Sequence, residues 1–326
     1  MSVHAIETYG KSDASRVSIG PLDESDLAEA ARIVRLAFGT FLGAPDPEVF
    51  WTDRDYAFGR HAAGHVAAFG AKVDGKLVGS NFATRWGSVG FFGPLSVRPD
   101  LQDRGVAQAL LKKTMAQFEA WSTKQVGLFT FPHSARHVAL YQKFGFSARF
   151  LTAIMSSPAR APRADGFLRF AKLTKTEQDE ALSSCRRLTE VLYPGLDLTE
   201  EIRSTAALGL GETVLIEGQN GVAAFAICQH GPRSEAGADM CYVKFGAARP
   251  GPSAERDFVR LVDASESYAA SVDTAKVLAG VNMGRHEAYR LFVARGYRAE
   301  IQGVAMHKDN EPGYSRPGLF VIDDWR

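Results

Sequence analysis

Apolar positions along this chain change period repeatedly, and the changes come twice in the same order. Arg16 to Leu22 reads as a strand, and Asp23-Glu24-Ser25-Asp26 predicts a capped helix with Leu27, Ala30, Ile33, Val34 and Phe38 on one face. After a turn at Gly43-Ala44-Pro45, Phe50, Trp51, Tyr56 and Phe58 mark a second, aromatic-rich helical stretch. His65–Val73 and Lys76–Phe82 are apolar runs joined by Asp74-Gly75, a two-residue hairpin signal. Phe91 to Val97 predicts another strand, interrupted by Gly93-Pro94; proline donates nothing to a ladder, so the strand should bulge or splay there. A helix with Ala107, Leu110, Leu111, Met115 and Phe118 in one stripe follows, and then a buried strand from Val126 to Phe131.

The order restarts after the Pro/Ala/Arg-rich segment SPARAPRADG at 157–166. Phe167–Leu173 reads as a strand, and two helical segments follow. A hairpin turns about Asn220-Gly221, then come a strand at Met240–Phe245, a helix carrying Phe258, Val259, Leu261 and Val262, and a strand at Lys276–Val281. The corner glycines Gly145 and Gly296 lie 151 residues apart (296 − 145), and the hairpin glycines Gly75 and Gly221 lie 146 apart (221 − 75). A duplication with a small insertion in the second copy accounts for both spacings. The expected division is a tail at 1–15, a first domain at 16–156, a linker at 157–166 and a second domain at 167–326.

Composition narrows the function classes. The 326 residues are ample for two domains, and 45% hydrophobic with 23% charged residues is ordinary globular usage. A net charge of +1 gives no field to steer the chain onto nucleic acid or an anionic membrane. No apolar run reaches the roughly 20 residues that span a bilayer, and the start lacks the pattern of a signal peptide. The chain therefore reads as cytoplasmic, with Cys185, Cys228 and Cys241 as reduced core thiols.

The chemistry concentrates in LSVRPDLQDRGVA, Leu95 to Ala107, and HSARHVALYQKFGF, 133–146. The first runs from an apolar strand through a glycine-containing turn into a helix. N–H groups at a helix start are unpaired and carry the positive end of the helix dipole, so such a turn holds a diphosphate without any cationic side chain. The second segment sets a tyrosine on a short helix that Gly145 ends.

Together these segments resemble the GNAT superfamily of acyltransferases, the general N-acetyltransferase fold. Gln102, Gly105 and Ala107 occupy the defined positions of its Q/R-x-x-G-x-G/A loop. In its later N-x-x-A-x-x-x-Y element, Ser134 stands for Asn and His137 for Ala, while Tyr141, Gly145 and Phe146 match. The resemblance implies an α/β (α+β) architecture of two tandem GNAT-like domains. Each is a mixed, mostly antiparallel central sheet flanked by helices and splayed at the strand before the loop.

It also implies acetyl-CoA as co-substrate. The diphosphate would lie on Asp103, Arg104, Gly105, Val106 and Ala107, beside Gln102 and Ser134. The pantetheine arm would lie in the splay, bonded by the backbone of Leu95, Ser96 and Val97, with the Val97 N–H near the thioester oxygen. An amine attacks the thioester directly, and Tyr141 returns a proton to the departing thiolate; thiol and phenol values of about 8.5 and 10 make that step mildly uphill.

The second copy has lost these parts. Phe292 stands where Tyr141 does, and Gly246-Ala247-Ala248-Arg249-Pro250-Gly251-Pro252 lacks the loop spacing and two N–H donors. It reads as a non-catalytic repeat that covers the first sheet and walls the acceptor site.

A general base is less defined. His133, at the end of a strand, either faces the reacting centre, directly or through water, or bonds backbone. His133/His137 and His61/His65 form H-x-x-x-H pairs without a Glu or third ligand, so no metal is expected. Asp46, Glu48, Asp53 and Asp55 either draw in a cationic amine or form a solvated face. Trp51, Tyr56 and Trp86 either line the acceptor pocket or fill core, and PGLFVIDDWR from Pro317 docks on a sheet edge or a partner. The acceptor is a small-molecule amine or a protein amino group, with no nucleic acid or membrane partner; an oligomer is possible. Transfer from a longer acyl-CoA, and a CoA-binding sensor or structural module without turnover, are the alternatives.

Overall fold

A computed structural model describes residues 17–159 and 166–326. The expected tail at 1–15 lies outside the described residues, as do 160–165 of the linker. In chain order the first copy comprises β1 (Val17–Pro21), α1 (Leu27–Leu42), α2 (Phe58–Ala62), β2 (Val66–Val73), β3 (Lys76–Trp86), β4 (Val89–Phe92), β5 (Ser96–Val97), α3 (Val106–Ala120), β6 (Gln125–Thr130), α4 (Ala135–Gln142) and β7 (Phe146–Pro158). The second comprises β8 (Leu168–Arg169), α5 (Lys175–Leu192), α6 (Thr199–Ala207), β9 (Gly211–Gly218), β10 (Gly221–Gly231), β11 (Gly237–Ala248), α7 (Ala254–Ser271), β12 (Lys276–Asn282), α8 (His286–Ala294), β13 (Arg298–Lys308) and β14 (Val321–Ile322).

Among the described residues all the strands join one 14-stranded sheet in the order β1-β2-β3-β4-β6-β13-β7-β12-β11-β10-β9-β8, with β5 on β3 and β14 on β11. Pairing is antiparallel except at β4–β6 and β11–β12. The copies exchange strands at the centre. β13, from the second copy, lies between β6 and β7 of the first, while β7 pairs with β12 of the second. Helices cover both faces. In the first copy β3 sends Val78 and Ala83 to the cluster under α3, with Leu110, Leu111 and Phe118, and sends Leu77 and Phe82 to that under α1, with Ala30 and Ile33.

Three local expectations differ. The aromatic stretch after α1 is turns rather than helix until Phe58: Asp46 accepts the Glu48 N–H and Asp55 accepts those of Ala57 and Phe58, so side-chain acceptors replace helical ones. The acidic run before α1 does not cap it; Asp23 and Asp26 each hold Lys72 at 2.7 Å instead. The strand expected at Phe167–Leu173 is two residues long and passes into a 3-10 turn at Phe170–Lys172.

Candidate active site

The splay is visible in the ladder. β4 pairs with β6 from Val89↔Gln125 to Phe91↔Gly127 and no further. Beyond Gly93-Pro94, β5 pairs only with β3, Ser96 opposite Ser80 and Val97 opposite Gly79. The Arg98 N–H bonds the Val78 carbonyl at 2.9 Å. Antiparallel bonding alternates between edges, so Ser96 directs its backbone groups to β3 while those of Leu95 and Val97 point away from it.

They point into a cavity of about 690 Å³ lined by Leu95, Val97, Gln102, Asp103, Gly105, Val106, Ala107 and Tyr141. At its mouth Gly105 is the N-cap of α3 with φ 83°, a left-handed conformation that favours glycine. A Cβ there would meet nothing within 4 Å, so the cradle is open space. The first N–H groups of α3 have no acceptor within the helix. Arg136 on α4 reaches across to Gln102 Oε1 (2.9 Å) and Asp103 Oδ2 (3.3 Å), strapping the two motif segments together.

Tyr141 is 8% exposed, with its ring 5.8 Å from Phe92. Burial pushes its phenol well above the ordinary range, so it stays protonated and is a weaker acid than a free phenol. Ser134 is the N-cap of α4 and accepts the His137 N–H at 3.4 Å. Ser134, Ser96, Arg104 and His133 are outside the cavity lining. His133 is exposed and stacks on Phe41 (centroids 5.6 Å, 15°). His137 does line the cavity, and burial, then Arg136 and His133, hold its pKa below the usual histidine value.

The second copy supplies the rest of the wall: Met240, Leu278, Glu300, Ile301, Trp325 and Arg326. The C-terminal segment therefore docks within the chain. It crosses β12 and β6 at two glycines: a Cβ on Gly280 would lie 2.3 Å from Asp324, and one on Gly127 would lie 2.1 Å from the Trp325 ring. Asp323 pairs with Arg285 (2.7 Å), and Tyr314 receives the Trp325 indole N–H (2.9 Å).

Beneath the cavity lies a charge network that sequence reading missed. Arg60 donates to the Gly93 and Arg326 carbonyls and binds Glu235 through two nitrogens (2.9 and 2.7 Å). Lys244 joins Glu235 to Glu201, each at 3.0 Å, and Glu201 also accepts from His65 (2.9 Å) and Trp86 (3.0 Å). Trp86 thus belongs to core, whereas Trp51 and Tyr56 line the cavity. The pairs span separations such as 175 residues, Arg60 to Glu235, which no local pattern reveals. The three cysteines are buried and unpaired. Among the described residues no helix is long and apolar enough to cross a membrane, and no group of three His, Cys, Asp or Glu is placed to hold a metal ion.

The parallel pairs Val89↔Gln125 and Met240↔Lys276 repeat at one spacing, 240 − 89 = 151 and 276 − 125 = 151. Gly246, Ala247 and Ala248 are thus the counterparts of Leu95, Ser96 and Val97 (246 − 95 = 151). There the free edge is occupied. Gly246 pairs with Ile322 and Ala247 with Val321, and the Ala248 N–H bonds the Phe320 carbonyl at 3.1 Å. At the Tyr141 position Phe292 packs into core, 4.6 Å from the Tyr297 ring.

Residues 30–146 match the Acetyltransferase (GNAT) family. Over the whole chain the fold is similar to that of a protein from Pyrococcus horikoshii, with 13% identity, 99% of this chain and 98% of that one covered and a TM-score of 0.66. It is also similar to a GCN5-related N-acetyltransferase from Sphaerobacter thermophilus (15% identity, 91% and 97% covered, TM-score 0.58). A tandem GNAT protein from the clavulanic acid biosynthesis pathway is similar too (13% identity, 91% and 99% covered, TM-score 0.56). No curated protein matches the sequence. Residues 30–146 thus carry a GNAT acetyltransferase match, within a fold similar to that of a tandem GNAT protein.

Proposed function

We propose that the protein is an N-acetyltransferase that moves an acetyl group from acetyl-CoA to a primary amine by direct attack in a ternary complex. The catalytic copy is 16–156 and the degenerate one 167–326. The observation that carries this reading is internal: the edge that takes a strand in the second copy is left facing a cavity in the first. A pantetheine arm has the amide spacing to be that strand. The N–H groups from Asp103 to Ala107 hold the diphosphate, and Gly105 leaves room for it. Gln102, Arg104 and Ser134 flank the nucleotide.

The amine attacks the thioester carbonyl, a C–N bond forms and the C–S bond breaks. The Val97 N–H stabilises the oxyanion; one such donor typically contributes roughly 10²- to 10³-fold. Tyr141 gives its proton to the sulfur. Its raised pKa makes that transfer steeper than the sequence suggested, but a thiolate in the same dry site is raised by the same cause. The amine's proton leaves toward the mouth, where His137 lines the cavity and His133 lies outside it within reach of water. The apolar wall at Ile154 and Leu278 leaves room for a longer acyl group, and a series of acyl-CoA lengths separates that reading.

The test is Tyr141→Phe, which copies the second domain's residue. Thiol release in the presence of amine is expected to fall about 100-fold with CoA affinity unchanged. Full turnover, with product release shown to be fast, removes Tyr141 from the mechanism. Tight CoA binding without thiol release for any acceptor favours a sensor instead.

A further inference from the structure

We propose that the acceptor is a primary amine carried on a flat apolar body, an arylalkylamine or arylamine, and that polycations and basic peptides are disfavoured. The inference deepens the transferase reading and rests on it.

The walls beyond Tyr141 are aromatic on both sides. Phe38 and Phe41 come from α1, Trp51 from the turns after it, Phe129 from β6 and Phe131 from just past its end; all line the cavity. They already meet as rings, Phe41 to Phe131 at 5.0 Å and Phe38 to Trp51 at 5.5 Å. Phe38, Phe41, Trp51 and Phe129 remain only partly buried, so a planar ligand finds apolar surface still to be covered.

The charges point the same way. Each carboxylate that offered a pull on a cationic amine is engaged elsewhere and absent from the lining. Asp46 and Asp55 accept backbone N–H groups, Glu48 pairs with Arg32 at 2.6 Å, and Asp53 pairs with Arg54 at 3.0 Å. At the acceptor end the lining carboxylate, Glu300, accepts from Ser156 (2.6 Å) and lies 3.3 Å from Lys276. The cations there are Arg54 and Arg326, and Arg54 already lies over the Trp51 ring at 5.4 Å, where an ammonium would otherwise dock. Both arginines carry carboxylate partners, Arg54 with Asp53 and Arg326 with Asp324 (2.9 Å), so this end of the cavity offers a second cation no unpaired carboxylate. Apolar rings without such a carboxylate also disfavour the ammonium form of any amine that enters, which leaves the neutral nucleophile the reaction needs.

The experiment titrates the full chain with CoA, then compares 2-phenylethylamine, tryptamine and aniline with spermidine, an aminoglycoside and a lysine-bearing peptide. Thiol release is one readout; saturation-transfer NMR of the ring protons beside bound CoA is another and needs no turnover. Ring-bearing amines should lead in kcat/KM by about 10- to 100-fold. Phe38→Ala should raise their KM about 10-fold at similar kcat, Phe38→Leu should recover part of it, and CoA affinity should hold in both. Phe38→Asp should move preference toward spermidine. Equal or better use of the polycations, or absence of ring contact while CoA is bound, overturns the inference. Ring contact beside CoA without transfer upholds the acceptor class and defeats the transfer step. Failure to bind CoA defeats the transferase reading itself.

Discussion

Leu95–Val97 and Gly246–Ala248 are the same stretch of backbone 151 residues apart (246 − 95), placed against opposite surroundings. Both are the outer edge of a strand that has parted from its parallel neighbour. In the first copy that edge faces a cavity beside Tyr141 and an open helix N-terminus. In the second it is bonded to residues 320–322, Phe292 replaces the phenol, and Gly251 takes the Ala254 N–H at the start of α7. An unpaired strand edge needs a partner. One copy leaves its edge facing a cavity and the other satisfies it with its own chain. The segment that pairs with the second copy's edge then crosses Gly280 and Gly127 to wall the first copy's cavity.

The largest expected effect comes from loosening that peptide. Trp325 is 4% exposed, lies flat on Gly127 and donates to Tyr314. Trp325→Ala should cost about 3–5 kcal/mol in urea unfolding and enlarge the first cavity. A loss within the range of surface substitutions breaks the claim that the segment is structural.

Next is a pH effect at the strand exchange. His307, on β13, is buried 4.9 Å from Trp325 with Nδ1 2.6 Å from the Glu311 carbonyl, and burial pushes its pKa down to about 4. The folded value is depressed, so the unfolded chain takes up the proton first as pH falls. The stability from the neutral ring is fully present above about 6.5 and is lost as pH falls toward 4, on the order of 3 kcal/mol. Urea midpoints at pH 7 and 4.5 should diverge in the parent and converge in His307→Gln. Equal divergence in both assigns the effect to other groups.

The smallest effect sharpens the first copy alone. Arg136 is half exposed, so its hold on Gln102 and Asp103 is screened. Arg136→Ala should weaken CoA binding by roughly 2- to 5-fold in calorimetry with little change in melting temperature. No change in affinity means the strap does not order the loop.

Much of this was legible in the sequence because it is local. Asp74-Gly75 fixes a hairpin, the stripe Leu110, Leu111 and Phe118 fixes a helix face, and Gly93-Pro94 marks the splay. The loop and Tyr141 came from a resemblance to family motifs that lie within one supersecondary unit. Other features rest on distance. The strand β13, Arg298–Lys308, was not read from the sequence, and nothing local places it between β6 and β7. Apolar residues in the terminal segment say that it docks but not where; Gly280 and Gly127, which admit it, read locally as ordinary strand glycines. The Arg60–Glu235–Lys244–Glu201 chain joins side chains from four elements or loops, each unremarkable in its own context.

A crystal structure of the chain with acetyl-CoA tests the central claim most directly. One molecule per chain is expected, its diphosphate on the N–H groups before α3, its pantetheine bonded by Leu95 and Val97 and its sulfur beside Tyr141, with residues 320–322 still on Gly246–Ala248. Acetyl-CoA in the second cleft, or bound away from Leu95 and Val97 in the first, would contradict the account.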